Sequence, residues 1–342
     1  MLKKFRKIAA FGASVTQQEN GYVDQLSKKI GTKIKKFGYG GMHLPDAGVC
    51  FIDKVLSYKP ELCLIDWFST GYMECSKKTL QCIDTIIYKF SQSNCALVFL
   101  ILPGSRTDEK YNEQIEFYSF CRKAFKKRNV YFIDIDDELK SVDLSYILRD
   151  SIHTTIQGGG SYADIIHRKL MENTPYCLNS KPFAENAIYK DIKRLKVNRV
   201  FFNQVNFVLD GEIIGIYNTI GRNSGLCKII TEDGSEKYVL IWDRWCYYER
   251  NHFDFFVPQC NGNVIIKVLK DVFDTGACKV PVDFKKYRKQ IVCKEIYWQG
   301  INLFIDNKYE GSKLEFWKIE FVRNLREIKH CGKKVIKNIL RK

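Results

Sequence analysis

The chain has 342 residues, 45% of them hydrophobic, and a formal net charge of +16. That length supplies material for a sizeable core and suits two domains better than one. The charge favours anionic surroundings (acidic polysaccharide, an inner membrane leaflet or nucleic acid) without choosing among them. The 13 cysteines are scattered, with no CxxC pair and no Cys/His ligand spacing. This argues against a zinc site and for a reducing cytosol.

In chain order, Lys3, Lys4, Arg6 and Lys7 followed by Ile8–Phe11 imitate an export signal. The apolar run is short and breaks into Thr16–Asn20, so it reads as a first buried strand. No stretch is apolar long enough to span a membrane, and a cytoplasmic location is expected. Apolar runs at Ile8–Gly12, Lys33–Phe37, Leu62–Asp66, Ala96–Leu102 and Val130–Ile135 read as strands. Helical spacing fills Tyr22–Ile30 and Leu80–Ser91, and a last helix is expected from about Gly160 to Met171. This rhythm predicts an α/β domain over residues 1–174, a three-layer parallel sheet with helices on both faces.

The texture changes near Thr174-Pro175, and 175–183 reads as a linker. Beyond it, Val200–Leu209, Glu212–Tyr217, Lys228–Thr231, Lys237–Trp242 and Asn263–Leu269 are strand-like. Asp210-Gly211, Asp233-Gly234 and Asn261-Gly262 read as turns between them. An all-β sandwich or jelly roll is expected over 184–317. Residues 318–342 form a basic, helical tail with Val335, Ile336, Ile339 and Leu340 on one face. It could touch an anionic membrane surface, although a solvated or domain-packing helix is the commoner outcome.

Three short segments carry chemistry. In Phe11-Gly12-Ala13-Ser14, a buried strand ends in a glycine turn that presents a serine, where open α/β sheets put their sites. Arg149-Asp150-Ser151-Ile152-His153 supplies, in one loop, a base for that serine and an acid to orient the base. Phe37-Gly38-Tyr39-Gly40-Gly41 follows the second strand, and its glycines let a backbone N–H approach a developing oxyanion.

The order Gly-x-Ser, Gly-x-x-Gly after the second strand and Asp-x-x-His before a final helix resembles the SGNH/GDSL hydrolase family over roughly residues 5–172. The resemblance implies a flavodoxin-like fold and the serine, glycine and histidine roles at Ser14, Gly41 and His153. Ala13 stands where the family has aspartate. The family's Gly-x-Asn-Asp block is replaced by Ile65-Asp66-Trp67-Phe68-Ser69, with Phe68 at the asparagine position. The implied oxyanion donors are then the backbone N–H groups of Ser14 and Gly41, with Ser69 as a substitute third. Losing one donor costs about 10²–10³ in rate, so the altered block also permits a slow or inactive enzyme.

The remaining candidates are less specific. Asp66 and Trp67 end a strand on the expected active face and are candidate substrate contacts. Trp242, Trp245 and Arg250 lie in a segment dense in aromatics and guanidinium groups, suited to sugar rings and carboxylates, with a buried aromatic strand pair as the competing reading. His43 reads as a surface or packing residue and His167 as structural. No cofactor or metal is implied. The expected activity is ester chemistry on a carbohydrate through an acyl-enzyme on Ser14, as O-acetylesterase or, with an acyl donor, O-acyltransferase. The alternatives are a lipid or small-ester hydrolase, or a non-catalytic glycan- or polyanion-binding protein. Nucleic acid has charge alone in its favour.

Overall fold

A computed structural model describes residues 5–69, 73–196, 204–220, 226–230, 234, 236–240, 250–255, 259–268 and 292–305. The first half is built on β1 (Ile8–Gly12), β2 (Ile34–Gly38), β3 (Leu62–Asp66), β4 (Ala96–Ile101) and β5 (Phe132–Asp134). They form one parallel sheet in the order β2-β1-β3-β4-β5. Period-two alternation sorts the apolar runs into two cores. Ala9, Phe11, Cys63, Ile65, Leu97 and Phe99 face one layer, while Ile8, Ala10, Leu62, Leu64, Val98 and Leu100 face the other. Both faces are covered, as a parallel sheet requires.

The helices are α1 (Ser14–Gln17), α2 (Tyr22–Ile30), α3 (Ala47–Cys50), α4 (Ile52–Leu56), α5 (Lys77–Gln92), α6 (Tyr111–Lys127), α7 (Ile135–Glu138) and α8 (Ile156–Glu172). Tyr22, Val23 and Leu26 of α2 join Tyr162, Ile166 and Leu170 of α8 over one face. Ile83, Ile86 and Phe90 of α5 join Phe117, Cys121 and Phe125 of α6 over the other. Of these, the sequence names α2, α5 and α8.

The sequence reading starts α8 four residues late. Thr155 caps the helix by accepting the Gly158 N–H at 2.9 Å, which draws the three glycines into the first turn. A β-carbon on Gly158 would sit 2.0 Å from the Ile147 carbonyl oxygen, and one on Gly159 3.1 Å from the Gly21 backbone. Close backbone approach, not chain breaking, explains Gly158 and Gly159, whereas a β-carbon on Gly160 would meet nothing within 4 Å.

The second half contains β6 (Lys193–Lys196), β7 (Gln204–Ile220), β8 (Leu226–Ile230), β9 (Glu236–Leu240), β10 (Arg250–Phe255), β11 (Gln259–Val268) and β12 (Val292–Ile305). They form one seven-stranded sheet whose pairings are antiparallel, in the order β6-β12-β7-β11-β8-β9, with β10 also on β7. Gly234, at φ 79°, lies between β8 and β9, which pair as expected of an Asp233-Gly234 turn. The other two expected turns are not turns. Asp210-Gly211 lies inside β7 and Asn261-Gly262 inside β11, and Asp210 pairs directly with Asn261. The β12 register slips between Gly300 and Asn302, opposite Gly211 and Asp210. Glycine here marks a strand irregularity. β6, β10 and β12 were not foreseen.

The second sheet packs against the first half. Ile214 and Phe253 belong to the same core cluster as Phe51, together with Phe183 and Ile192. The Phe51 ring meets Tyr217 and Phe253 edge-on at 5.1 and 5.6 Å, and the Lys54 ammonium lies 4.1 and 4.5 Å from the Phe51 and Tyr217 rings. Thr85 exchanges hydrogen bonds with the Ile188 backbone at 2.8 and 3.0 Å, pinning the segment that follows the expected linker. Among the described residues no helix is long and apolar enough to cross a membrane. Trp242, Trp245 and the basic tail at 318–342 lie outside the described residues.

Candidate active site

Ser14 is the first residue of α1, at the carboxyl end of β1, and is half-buried. β1 is the strand from which the chain turns to β2 on one side and to β3 on the other, so a crevice opens beyond it. Two backbone bonds stitch its end to both neighbours: Ala13 N–H donates to the Asp66 carbonyl at 3.1 Å and Tyr39 N–H to the Gly12 carbonyl at 3.0 Å. A β-carbon on Gly12 would lie 2.3 Å from the Asp66 carbonyl oxygen, so this turn admits only glycine.

A cleft of about 300 Å³ is lined by Ser14, Gln17, Gln18, Glu19, Arg149 and His153. Ser14 and His153 therefore open on the same space, although 138 residues of chain lie between them. The histidine loop is held as a small hairpin. Leu148 bridges Thr154, and Arg149 N–H donates to the His153 carbonyl at 2.8 Å. Asp150 Oδ1 accepts the backbone N–H groups of Ile152 and His153 at 3.0 and 2.8 Å. The two Asp150 carboxylate oxygens lie 3.0 and 2.9 Å from His153 Nδ1. Partial burial pushes the Asp150 carboxyl up, but the His153 and Ile152 N–H groups and the imidazole outweigh it and hold it below the ordinary aspartate range. It is a carboxylate at neutral pH. It fixes the proton on Nδ1 and leaves Nε2 as the nitrogen that can act as base.

The glycine loop is pinned from α1. Gly40 N–H donates to Gln17 Oε1 at 2.7 Å, and a β-carbon on Gly38 would strike the Gln17 backbone at 2.4 Å. Gly41 follows at φ +70°, a left-handed conformation, and the Arg250 Nη1 atom lies 3.1 Å from where its β-carbon would be. Arg250 thus reaches the glycine loop from β10, in the second sheet.

Ser69, Asp66 and Trp67 are placed differently from what was expected of them. All three are buried, Ser69 at 2% exposure and Asp66 at 0%. The Ser69 hydroxyl donates to the Asp66 carboxylate, so it is committed inward rather than toward an oxyanion. Thr16 Oγ1 donates to the same carboxylate at 3.1 Å and sits 2.8 Å from the Tyr22 hydroxyl. Burial raises the Asp66 carboxyl to about 6 against the opposing pull of the Ser69 and Thr16 hydroxyls. Trp67 packs edge-on against Phe11 at 5.1 Å and stacks with Tyr39 at 6.5 Å. Asp66 and Trp67 therefore support the site from beneath and do not line the cleft. Phe68 packs between Phe99 and Phe125, which explains its apolar character. His43 lies 3.4 Å from Asp46 before α3, and His167 is half-buried on α8.

Two residues of the site were missed in the sequence. Gln17 holds the glycine loop, and Gln18 clamps the histidine loop. The Gln18 amide donates to the Thr154 carbonyl at 2.7 Å and accepts the Thr154 N–H at 3.2 Å. The signal was their place on the first turn after Ser14, where side chains point back over the strand ends. Among the described residues no group of His, Cys, Asp and Glu side chains could hold a metal ion.

No protein-family model matches the chain, and no curated protein is detectably similar to it in sequence. Solved structures do match. A two-domain esterase active on acetylated mannans aligns over 86% of this chain and 91% of its own, at 13% identity and a TM-score of 0.59. An acetyl xylan esterase aligns over 48% of this chain and 99% of its own, at 18% identity and a TM-score of 0.43. A protein of the G-D-S-L family from Desulfitobacterium hafniense covers 48% and 98%, at 16% identity and a TM-score of 0.42. The parallel sheet in the order β2-β1-β3-β4-β5, with the crevice beyond β1 and the likeness that runs on into the antiparallel strands, gives the chain the fold of the two-domain esterase that acts on acetylated mannans.

Proposed function

We propose that the chain is a serine-dependent carbohydrate ester hydrolase that removes an acyl group, acetyl being the simplest, through an acyl-enzyme on Ser14. The observation that carries this reading is that His153, paired through Nδ1 with Asp150, opens on the same cleft as Ser14. His153 Nε2 takes the Ser14 proton as the hydroxyl oxygen attacks the ester carbonyl. The tetrahedral oxyanion is received by the Ser14 and Gly41 backbone N–H groups. His153 then returns the proton to the departing sugar oxygen, the carbonyl re-forms, and the acyl group remains on Ser14. Water, deprotonated by His153, attacks the acyl-enzyme and releases the acid. A sugar hydroxyl in place of that water would make the same intermediate an O-acyltransferase. With Ser69 turned to Asp66, no side chain is assigned to the third donor, and a modest turnover is the expected consequence.

A glycan ester is favoured over a lipid by the polar lining of the cleft among the described residues, Gln17, Gln18, Glu19, Arg149 and His153. The esterase on acetylated mannans, similar across both halves, supports the same substrate class. The second sheet fits a glycan-positioning role, with Trp242, Trp245 and Arg250 as contacts.

The test is labelling by a fluorophosphonate and hydrolysis of 4-nitrophenyl acetate by the full chain, beside Ser14→Ala, His153→Ala and the double variant. Each single variant should lose nearly all turnover, and the double should be little worse, because the groups act as a unit. A Ser14→Ala protein that keeps most of the wild-type rate overturns the assignment.

A further inference from the structure

We propose that the side-chain amide of Gln17 is the third oxyanion donor, in the place that Ser69 leaves open. The inference rests on the ester-hydrolase reading of the same cleft and deepens it. Gln17 follows Ser14 by one turn of α1, so the two side chains are neighbours on one helix face, and both line the cleft. The Gly40 backbone nitrogen lies 2.7 Å from the end of the Gln17 amide. An N–H can only donate, so the atom it meets is the carbonyl oxygen Oε1, and Nε2 is the end left to donate. Among the described residues no acceptor meets Nε2. The β-carbon position of Gly40 is 2.7 Å from Gln17 Oε1, 3.8 Å from Gln17 Cδ and 3.7 Å from the Ser14 β-carbon, so the amide and the nucleophile border one point.

Attack by Ser14 on an ester carbonyl puts negative charge on one oxygen, and donors already aimed at that oxygen lower the barrier. The two backbone groups assigned to it, the Ser14 and Gly41 N–H groups, come from α1 and from the glycine loop, the two segments that the Gln17 side chain ties together. One amide therefore serves twice. Its oxygen holds the loop that carries Gly41, and its NH2 adds a donor beside that loop. The neighbouring polar side chains are placed for other work. Gln18 turns both ends of its amide to Thr154, and Arg149 stands on the histidine loop with Nε 3.7 Å from Asp150. A glutamine on an exposed turn, held by one bond, is a looser donor than a fixed backbone N–H, so turnover stays modest.

The experiment uses the full chain. Gln17→Glu keeps an oxygen for the Gly40 N–H and removes the donor, while Gln17→Met removes both without adding charge. Each should lower kcat for 4-nitrophenyl acetate by about 10²–10³ and leave KM nearly unchanged, because the contact strengthens only in the transition state. A wild-type rate in Gln17→Glu would show that the side chain only pins the loop, and one in Gln17→Met that it contributes nothing; either overturns the proposal. The direct readout is the Gln17 amide signal in nuclear magnetic resonance of wild type carrying isotope-labelled glutamine, assigned by its loss in Gln17→Glu. Modification of Ser14 by a fluorophosphonate places a polarised phosphoryl oxygen where the oxyanion forms, and the amide protons should then move downfield. A signal that stays in place overturns the proposal even where both variants are slow. Wild type that neither hydrolyses the ester nor takes the label fails the ester reading, and the donor with it. Wild type that does both while the Gln17 amide is indifferent fails the donor alone.

Discussion

Replacing Asp66 by asparagine should change how stability depends on pH, and the size of the change follows from the site. The Asp66 carboxyl is fully enclosed, and burial lifts it from the ordinary 3.8 to about 6 although Ser69 and Thr16 donate to it. Between those two values the folded protein keeps a proton that the unfolded chain has released. The native state therefore loses stability as pH rises from about 4 to about 6, and the loss is constant above that. At about 1.4 kcal/mol per pH unit, the interval amounts to about 3 kcal/mol. Asparagine does not ionise and escapes the loss. Its carbonyl still accepts one hydroxyl, and the Thr16–Tyr22 pair at 2.8 Å can reverse its donor to accommodate the amide. Tm measured by calorimetry for both proteins between about pH 4 and pH 8 isolates the effect, since the other carboxylates cancel in the difference. Relative to wild type, Asp66→Asn should gain on the order of 10 °C across the window and then level off, at roughly 2–4 °C per kcal/mol. Parallel curves would refute the reasoning. A variant that loses ground as pH rises would show that the site stabilises the anion.

Asp150→Asn keeps an acceptor for the Ile152 and His153 N–H groups, so its Tm should stay near wild type while turnover of an aryl acetate falls by orders of magnitude; unchanged turnover would make Asp150 a loop residue alone. Gln18→Ala breaks all three side-chain bonds to Thr154, which should cost about 1–3 kcal/mol of stability and lower kcat more than it raises KM, because it frees the loop that carries His153; a stability loss with kcat intact would confine Gln18 to a structural role. Residues 1–180 alone should aggregate or melt well below the full chain, since the cut uncovers Phe51 and removes Ile192, Ile214 and Phe253 from its core; a soluble fragment with the full chain's Tm would show the first half to be self-sufficient. This differs from the sequence-based expectation that a boundary near 175–183 separates independent units.

The amino-acid sequence by itself determined the features that depend on near neighbours. β1 and β3 were legible to the residue, because a strand buried on both faces is an unbroken apolar run. The Asp150–His153 pair was legible because three residues of spacing lets one carboxylate hold both the ring and the loop N–H. The glycine at 234 was legible because a tight reversal between two paired strands needs a residue at positive φ. Tertiary structure decided the rest. Asp210-Gly211 and Asn261-Gly262 have turn chemistry, yet they pair with each other in mid-ladder, where the long-range hydrogen bonds of β7 and β11 override local preference. Asp66 and Ser69 look like strand-end residues on the active face, but whether such a side chain points up into the cleft or down into the core depends on Thr16 and Tyr22 packing across from another element. The Gln18–Thr154 clamp joins residues 136 apart, and Arg250 meets Gly41 across the two sheets. No periodicity or spacing along the chain encodes those meetings, because they exist only once both sheets are folded and packed.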